Sequence, residues 1–427
     1  MTILIKDIAE IYTMNNQVIK DGYIIIEENL ISEIGSHINK DNKNFDEIIK
    51  ADQMIALPGL VNTHTHSAMT LLRGYADDLP LEKWLQEKIW PLESKLTEDY
   101  IYWGSKLAIL EMIRTGTTTF TDMYFQMHKV GEAVIESGIR AVLSQGLIEA
   151  NDGEKGLKEA KEFTEEWNDK AGGRIKTILG PHATYTCSPD YLVQIADIAK
   201  GLDVPITIHV AETREETNII KEKYKCSPVK YLDKINLFTV PTIAAHCVHI
   251  SQDDINILKN NNVGISHNPM SNMKLGSGVA PIAELLKNDV KVALGTDGVS
   301  SNNNLDMIEE ARFASYLQKV TNYDPTVMDV DSLLKMLTVN GADILKLNSL
   351  GKIKEGFIAD IILINMEKNT AYYPHHNNLS NLIYAGKGND VSTVIVDGNI
   401  IMKEGIIKTI DEEEVYCKVD EIMKELI

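Results

Sequence analysis

The sequence predicts an α/β protein, a closed (β/α)8 barrel carrying a small β-sandwich domain built from both chain ends. Eight short apolar, β-branched segments alternate with stretches whose apolar residues recur at helical spacing. Short strands with hairpin-type turns flank this middle part on both sides. Histidine is scarce, with 11 in the chain, yet six of them stand where the eight segments end.

Before Pro58 the candidate strands are Ile3–Ile5, Ile8–Tyr12, Val18–Ile19, Tyr23–Ile26 and Leu30–Ile34, with turn residues at Asn15-Asn16, Asp21-Gly22 and Glu27–Asn29. The same texture returns at Ala359–Ile364, Val391–Val396 and Ile400–Met402. One composite β domain over residues 1–57 and 352–405 is therefore expected, with the barrel over 58–351 and a helical segment over 406–427. The barrel segments are Ile55–Val61, Thr117–Thr121, Ala141–Gly146, Lys176–Leu179, Pro205–Val210, Thr242–Ala245, Val263–Ser266 and Val292–Leu294. Between them Ile101–Arg114, Gly131–Ser137, Leu157–Trp167, Pro189–Ala199 and Asp253–Lys259 read as helices, and Leu305–Lys319 and Ser332–Thr338 complete the ring. Right-handed crossovers make a closed parallel sheet the natural result of such a repeat. An open doubly wound sheet is the runner-up, without a Gly-x-Gly-x-x-Gly turn to support it.

In such a barrel the chemistry sits at the C-terminal strand ends. Strand one ends in His64 and His66, which point to one face because side chains in a strand repeat every second residue. Strand four ends in His182, strand five in His209 with Glu212 three residues on, strand six in His246, strand seven in His267 and strand eight in Asp297. His64, His66 and His209 supply nitrogens and Asp297 a carboxylate oxygen, a ligand set for a divalent metal with one position open to water. One divalent metal per subunit is expected, Zn2+ first, with iron or manganese compatible with the same donors. Strand four ends in Gly180-Pro181-His182 and Lys176 lies at its start, so no bridging lysine is placed for a second metal. Glu212, where the strand gives way to a loop, suits a general acid/base, and His246 can hydrogen-bond the attacking water. His37, His128, His249, His267, His375 and His376 read as supporting or surface residues.

Composition narrows the partners. A formal net charge of −20 argues against nucleic acid or an anionic membrane as partner. The four cysteines, Cys187, Cys226, Cys247 and Cys417, lack CxxC spacing, so neither a disulfide framework nor a zinc ribbon is indicated. The first residues lack the pattern of a signal peptide and no apolar run reaches about 18 residues, so the cytoplasm is the expected location. Homo-oligomerisation is left open.

Taken together, these residues and the motifs around them identify a resemblance. Pro58–His66, the run from Leu71 to Leu85, Trp90-Pro-Leu-Glu93, the run from Gly116 to Met123, Gly180–His182 and His209–Glu212 resemble amidohydrolase-superfamily deaminases. The runs Ala245–Cys247, His267–Gly278, Gly295–Asn303 and Asn340–Ala342 extend the likeness over nearly the whole chain. Within that superfamily the 5'-methylthioadenosine/S-adenosylhomocysteine deaminases are most similar. The resemblance implies the TIM-like metal-dependent hydrolase barrel and hydrolytic deamination of these nucleosides to the inosine analogue plus ammonia. 5'-Deoxyadenosine and adenosine are further candidate substrates. It also implies that Glu93 binds the ribose hydroxyls, that His182 contacts the purine, and that the segment 77–90, with Trp84 and Trp90, covers the pocket. Glu212 and Asp297 are implied to act on the substrate as well, Glu212 protonating ring N1 and Asp297 taking a proton from the attacking water. Some relatives add an arginine after strand three; here that loop reads Asn151-Asp-Gly-Glu-Lys-Gly-Leu-Lys, which leaves Lys155 as a candidate replacement. The rivals are a guanine or cytosine deaminase or a triazine chlorohydrolase on the same scaffold, and, more remotely, a metal-free scaffold barrel.

Overall fold

A computed structural model of the chain describes residues 1–36, 44–79 and 83–426; His37 and part of the covering segment at 77–90 lie outside them. The strands of the two chain ends form one sheet. Its N-terminal members are β1 (Thr2–Tyr12), β2 (Val18–Glu27), β3 (Leu30–Gly35), β4 (Glu47–Lys50) and β5 (Met54–Pro58). Hydrogen bonding joins them to β15 (Ile361–Asn365), β16 (Val391–Val396), β17 (Asn399–Lys403) and β18 (Ile406–Ile407) in a nine-stranded sheet. The two ends meet where β5 runs antiparallel to β15, with Pro58 opposite Ile361. At the far edge Leu30 bridges to Ile358, so the sheet curls back on itself. One face of it, with Ile3, Ile5, Ile24, Ile26, Ile361 and Leu363, closes on an apolar interior. This is the expected composite of both chain ends, made from a single curled sheet. The β structure also continues through Ile406–Ile407, into the stretch read as wholly helical, before the helix Glu412–Leu426.

The barrel strands are β6 (Leu60–Thr65), β7 (Thr117–Tyr124), β8 (Arg140–Leu147), β9 (Ile175–Thr177), β10 (Gly180–Pro181), β11 (Ile206–Val210), β12 (Thr242–His246), β13 (Gly264–His267) and β14 (Val292–Leu294). β9 and β10 both pair with β8 and are two halves of one barrel strand, so a five-stranded and a four-stranded parallel sheet make eight positions. The bridges Leu179–Ile206 and Ala183–His209 join the two arcs on one side. On the other side the Asp297 amide donates to the His64 carbonyl at 2.9 Å and Asn62 Nδ2 donates to Thr296 Oγ1 at 2.7 Å, which closes the ring. All residues of β6 and β7 are buried, as expected for strands covered on both faces.

One expectation is corrected. Ile55–Val61, read as a single barrel strand, is two strands in two different sheets: Met54–Pro58 belongs to the curled sheet and Leu60–Thr65 to the barrel. Gly59 is the break, and a Cβ there would lie 2.0 Å from Thr118 Oγ1. Apolar periodicity does not reveal the division, because both strands are buried and β-branched.

The helices start where local chemistry favours them. Thr97 caps Glu98–Arg114, Ser188 caps Pro189–Leu202, and Ser251 with Asp254 forms a capping box on Gln252–Asn260. At the N-terminal end of the barrel, Val61, Val142, Ile178, Ile243 and Ala293 pack with Ala342, Ile344 and Leu345, which plug the bore. Only the opposite mouth is left for chemistry.

Candidate active site

The C-terminal strand ends converge on one cavity of about 490 Å³. Its wall includes His66, Glu93, His182, His209, Glu212, His246 and Asp297. His64 is buried directly behind them, its ring centre 4.9 Å from that of His66 and 4.8 Å from that of His209. His64, His66, Glu93, His182, His209, Glu212, His246 and Asp297 are thus gathered at this mouth.

The imidazoles are aimed by backbone carbonyls. His66 Nδ1–H donates to the Met123 carbonyl and His209 Nδ1–H to the His182 carbonyl, both at 2.6 Å. Those bonds fix the tautomer and leave each Nε2 lone pair toward the centre. Asp297 Oδ1 lies 3.5 Å from His64 Nε2 and 3.2 Å from His66 Nε2. Its other oxygen accepts from Ser271 Oγ at 2.6 Å and Ser301 Oγ at 3.1 Å. The two hydroxyls hold one carboxylate oxygen and leave the second for the histidines.

Among the described residues, one donor atom from each of His64, His66 and His209 falls within 4.8 Å of the others, and the same holds for His64, His246 and Asp297. His64 Nε2 is buried and has no hydrogen-bond partner. A buried imidazole nitrogen left over beside a carboxylate and two aligned imidazoles fits a divalent cation. The electrostatics agree. Burial and the neighbouring imidazoles push His209 far below the ordinary histidine range, and burial takes His64 down to about 4. Burial also opposes the charge on His66, but Asp297 outweighs it and raises His66 to about 9. For Asp297 burial favours the neutral acid, yet His64 and His66 hold its carboxyl well below the usual range. His64 and His209 are thus held neutral, with lone pairs to offer, beside an ionised Asp297.

The acid/base candidates sit beside this cluster. Glu212 Oε2 is 3.8 Å from His246 Nε2, and His246 Nδ1–H donates to Asn272 Oδ1 at 2.8 Å. Burial raises the Glu212 pKa, against the pull of His246. Several of these residues stand on strained backbone: Ala211, His246 and Asp297 have φ of 51°, 70° and 62°. Non-glycine residues in that region are costly and concentrate at functional sites, where they turn a side chain out of the strand pleat.

On the opposite wall Glu93 accepts a 2.5 Å hydrogen bond from the Tyr124 hydroxyl, and burial raises its pKa. His182 Nδ1 pairs with Thr186 Oγ1 at 3.0 Å and burial lowers it to about 4, so it is a neutral ring facing the cavity. Trp84, Leu85 and Trp90 line the same space, and Trp84 Nε1–H donates to the Ala76 carbonyl. Lys155 does not line it. That side chain is exposed on the helix Glu149–Trp167 and paired with Glu159, while Gln145 and Asn151 take the wall position. A break in the helix at Gly153 separates Asn151 from the turn that carries Lys155, and sequence alone does not place it.

Sequence reasoning missed Tyr124, Ser271, Asn272 and Ser301. Tyr124 lies beyond the expected end of its strand, which stopped at Thr121. The other three fall inside motifs already noted, but a hydroxyl or amide carries no spacing signal of its own. Of the less committed histidines, His249 Nε2–H donates to the Ser277 carbonyl, His128 faces Glu98 at the surface, and His267 is fully buried below the site.

Comparison with known proteins agrees with this geometry. The pattern described as the Amidohydrolase family matches residues 55–401. The 5-methylthioadenosine/S-adenosylhomocysteine deaminase of Halothermothrix orenii is 57% identical over 428 residues, covering 99% of both chains. The protein of the same description from Carboxydothermus hydrogenoformans is 51% identical, covering 97% of this chain and 96% of its own. Among solved structures, an adenosine deaminase from Xanthomonas campestris with bound zinc superposes with a TM-score of 0.95 at 30% identity, covering 99% of this chain and 98% of that one.

Proposed function

Because the chain belongs to the amidohydrolase family, we propose that it deaminates 5'-methylthioadenosine and S-adenosyl-L-homocysteine. Each would be hydrolysed at C6 to the inosine analogue with release of ammonia. The relatives of that description, aligned end to end, support the substrate class. The observation that carries the reaction is the convergence of Glu212, His246 and Asp297 on one cavity that also holds Glu93.

His64, His66, His209 and Asp297 are the residues we assign to the metal, and zinc is our first choice, since the Xanthomonas relative binds it. A divalent cation there supplies Lewis acidity that lowers the pKa of water toward neutrality. The chain's own side chains do the rest. Glu93 and Tyr124 receive the ribose diol, a carboxylate accepting from two hydroxyls, and His182 rests against the purine. Glu212, whose pKa burial raises, delivers its proton to N1 and draws electron density from C6. Water then adds at C6, oriented by His246 Nε2, while Asp297 takes the proton that the water gives up. Asp297 passes that proton to the exocyclic nitrogen, and the C6–N bond breaks to release ammonia as C6=O forms and the C6 hydroxyl proton returns to Glu212. The covering segment with Trp84 and Trp90 excludes bulk water from these steps. The cytoplasm is the compartment this reading assigns; among the described residues no helix is long and apolar enough to cross a membrane.

The test is the loss of adenine ultraviolet absorbance with ammonia measured in parallel, using zinc-loaded protein. Turnover of the thionucleosides, abolished in Glu212→Gln, is the expected result. Silence on them with metal bound overturns the reading.

A further inference from the structure

The two substrates differ only beyond the 5' sulfur, where one ends in a methyl group and the other in a zwitterionic amino-acid tail. We infer that the cavity selects for an uncharged 5' substituent, so that 5'-methylthioadenosine is the preferred substrate and the homocysteine tail is tolerated without a charged partner; this rests on the nucleoside deaminase reading above. Among the described residues, the charged wall consists of Glu93, Glu212 and Asp297 with the histidines, and no lysine or arginine lines it. The cavity wall also carries Phe125, Gln145, Ile148 and Asn151, apolar or neutral groups that suit a thioether and a short alkyl chain. A carboxylate brought in on a flexible tail gives up water there and finds amide groups in place of a fixed cation.

Basic side chains do exist nearby, at Lys83 and Arg214. They border a neighbouring depression of about 670 Å³ that shares Leu85, Tyr185 and Leu275 with the main cavity. That depression lies at the β11 and β12 side, next to Thr213 and His249, whereas Glu93 is held by Tyr124 at the end of β7.

The test is kcat/KM for 5'-methylthioadenosine, its neutral 5'-butylthio analogue and S-adenosylhomocysteine, in the wild type and in Asn151→Arg and Arg214→Ala. The two neutral compounds should be within a few-fold of each other and exceed S-adenosylhomocysteine about tenfold or more, the worth of one missing charge-assisted hydrogen bond. Asn151→Arg should raise S-adenosylhomocysteine relative to 5'-methylthioadenosine, with circular dichroism and thermal melting reporting that the variant is folded. Equal rates for S-adenosylhomocysteine and the methylthio compound overturn the inference, as does an Arg214→Ala loss confined to S-adenosylhomocysteine. A butylthio analogue as poor as S-adenosylhomocysteine overturns it too, since length rather than charge would then decide. Absence of turnover for all three by metal-loaded protein overturns instead the deaminase reading itself.

Discussion

Glu212 and Glu93 are both buried carboxyls with raised pKa values, yet their surroundings give them different work. Glu212 faces His246 across 3.8 Å and, among the described residues, its carboxyl has no close hydroxyl donor. Glu93 is anchored by Tyr124. A raised pKa means that Glu212 keeps its proton to higher pH than an exposed glutamate, and in the proposed reaction that proton goes to N1. Activity should therefore fall on the alkaline side as Glu212 ionises, and kcat/KM measured against pH should show that limb in the wild type. Glu212→Gln should lower kcat by roughly 10²–10⁴-fold, the usual worth of a positioned acid/base; an unchanged kcat would remove Glu212 from the reaction. Tyr124→Phe has a different expected signature. It removes one hydrogen bond to the Glu93 carboxyl, the group we assign to the ribose, so KM should rise by about tenfold with the pH profile unmoved. Glu93→Ala should cost more, because the ribose hydroxyls then lose a charged acceptor.

At the scale of strands and loops, Asp297 depends on the ends of β13 and β14 acting together. Ser271 and Ser301 come from the segments after those two strands and meet on the same carboxylate oxygen. Losing either hydroxyl lets Asp297 turn away from His64 and His66. Ser271→Ala should weaken metal affinity by about 10–100-fold, the range seen when groups behind a ligand are removed, and competition with a chelator would measure it. Gly295→Ala should be harsher, since a Cβ there comes within 2.6 Å of Asn268 Oδ1 and 2.8 Å of His64 Cβ. These elements also show what the sequence could and could not reveal. His64 and His66 were legible because strand periodicity sends alternate residues to one face. His209, His246 and Asp297 were legible because a rare or charged residue closed an apolar run. The division of Ile55–Val61 at Gly59 was hidden, because two buried strands in different sheets have the same apolar texture. Tyr124, Ser271 and Ser301 were hidden because their roles exist only where separate loops meet. Asn151 took the place expected of Lys155 for the same reason.

Across the whole molecule, the site at one end of the barrel is matched by a charged joint at the other. Arg140, the first residue of β8, reaches Asp360 just before β15, with Nε 3.0 Å from Oδ2 and Nη2 3.1 Å from Oδ1. The pair is buried, and Asp360 also accepts from the Asp397 amide at 2.7 Å. This two-pronged contact ties the barrel to the sheet formed by the chain ends. Arg140→Ala leaves Asp360 buried without its guanidinium, and an uncompensated buried charge costs about 3–5 kcal/mol. Thermal unfolding should therefore shift down sharply, whereas kcat/KM of the protein that stays folded should hold, because the joint is at the bore end remote from Glu212 and Asp297. Metal offers an independent check on that separation. A cation held by the native ligands and not by the unfolded chain adds stability by mass action, about 2.7 kcal/mol at a hundredfold excess over its Kd. Zinc should accordingly raise the melting temperature of Arg140→Ala and of the wild type by similar increments, while Asp297→Ala should respond little. A zinc increment lost in Arg140→Ala would mean that the chain-end sheet helps to hold the metal ligands in place, and the two ends of the barrel would then have to be treated as one coupled unit.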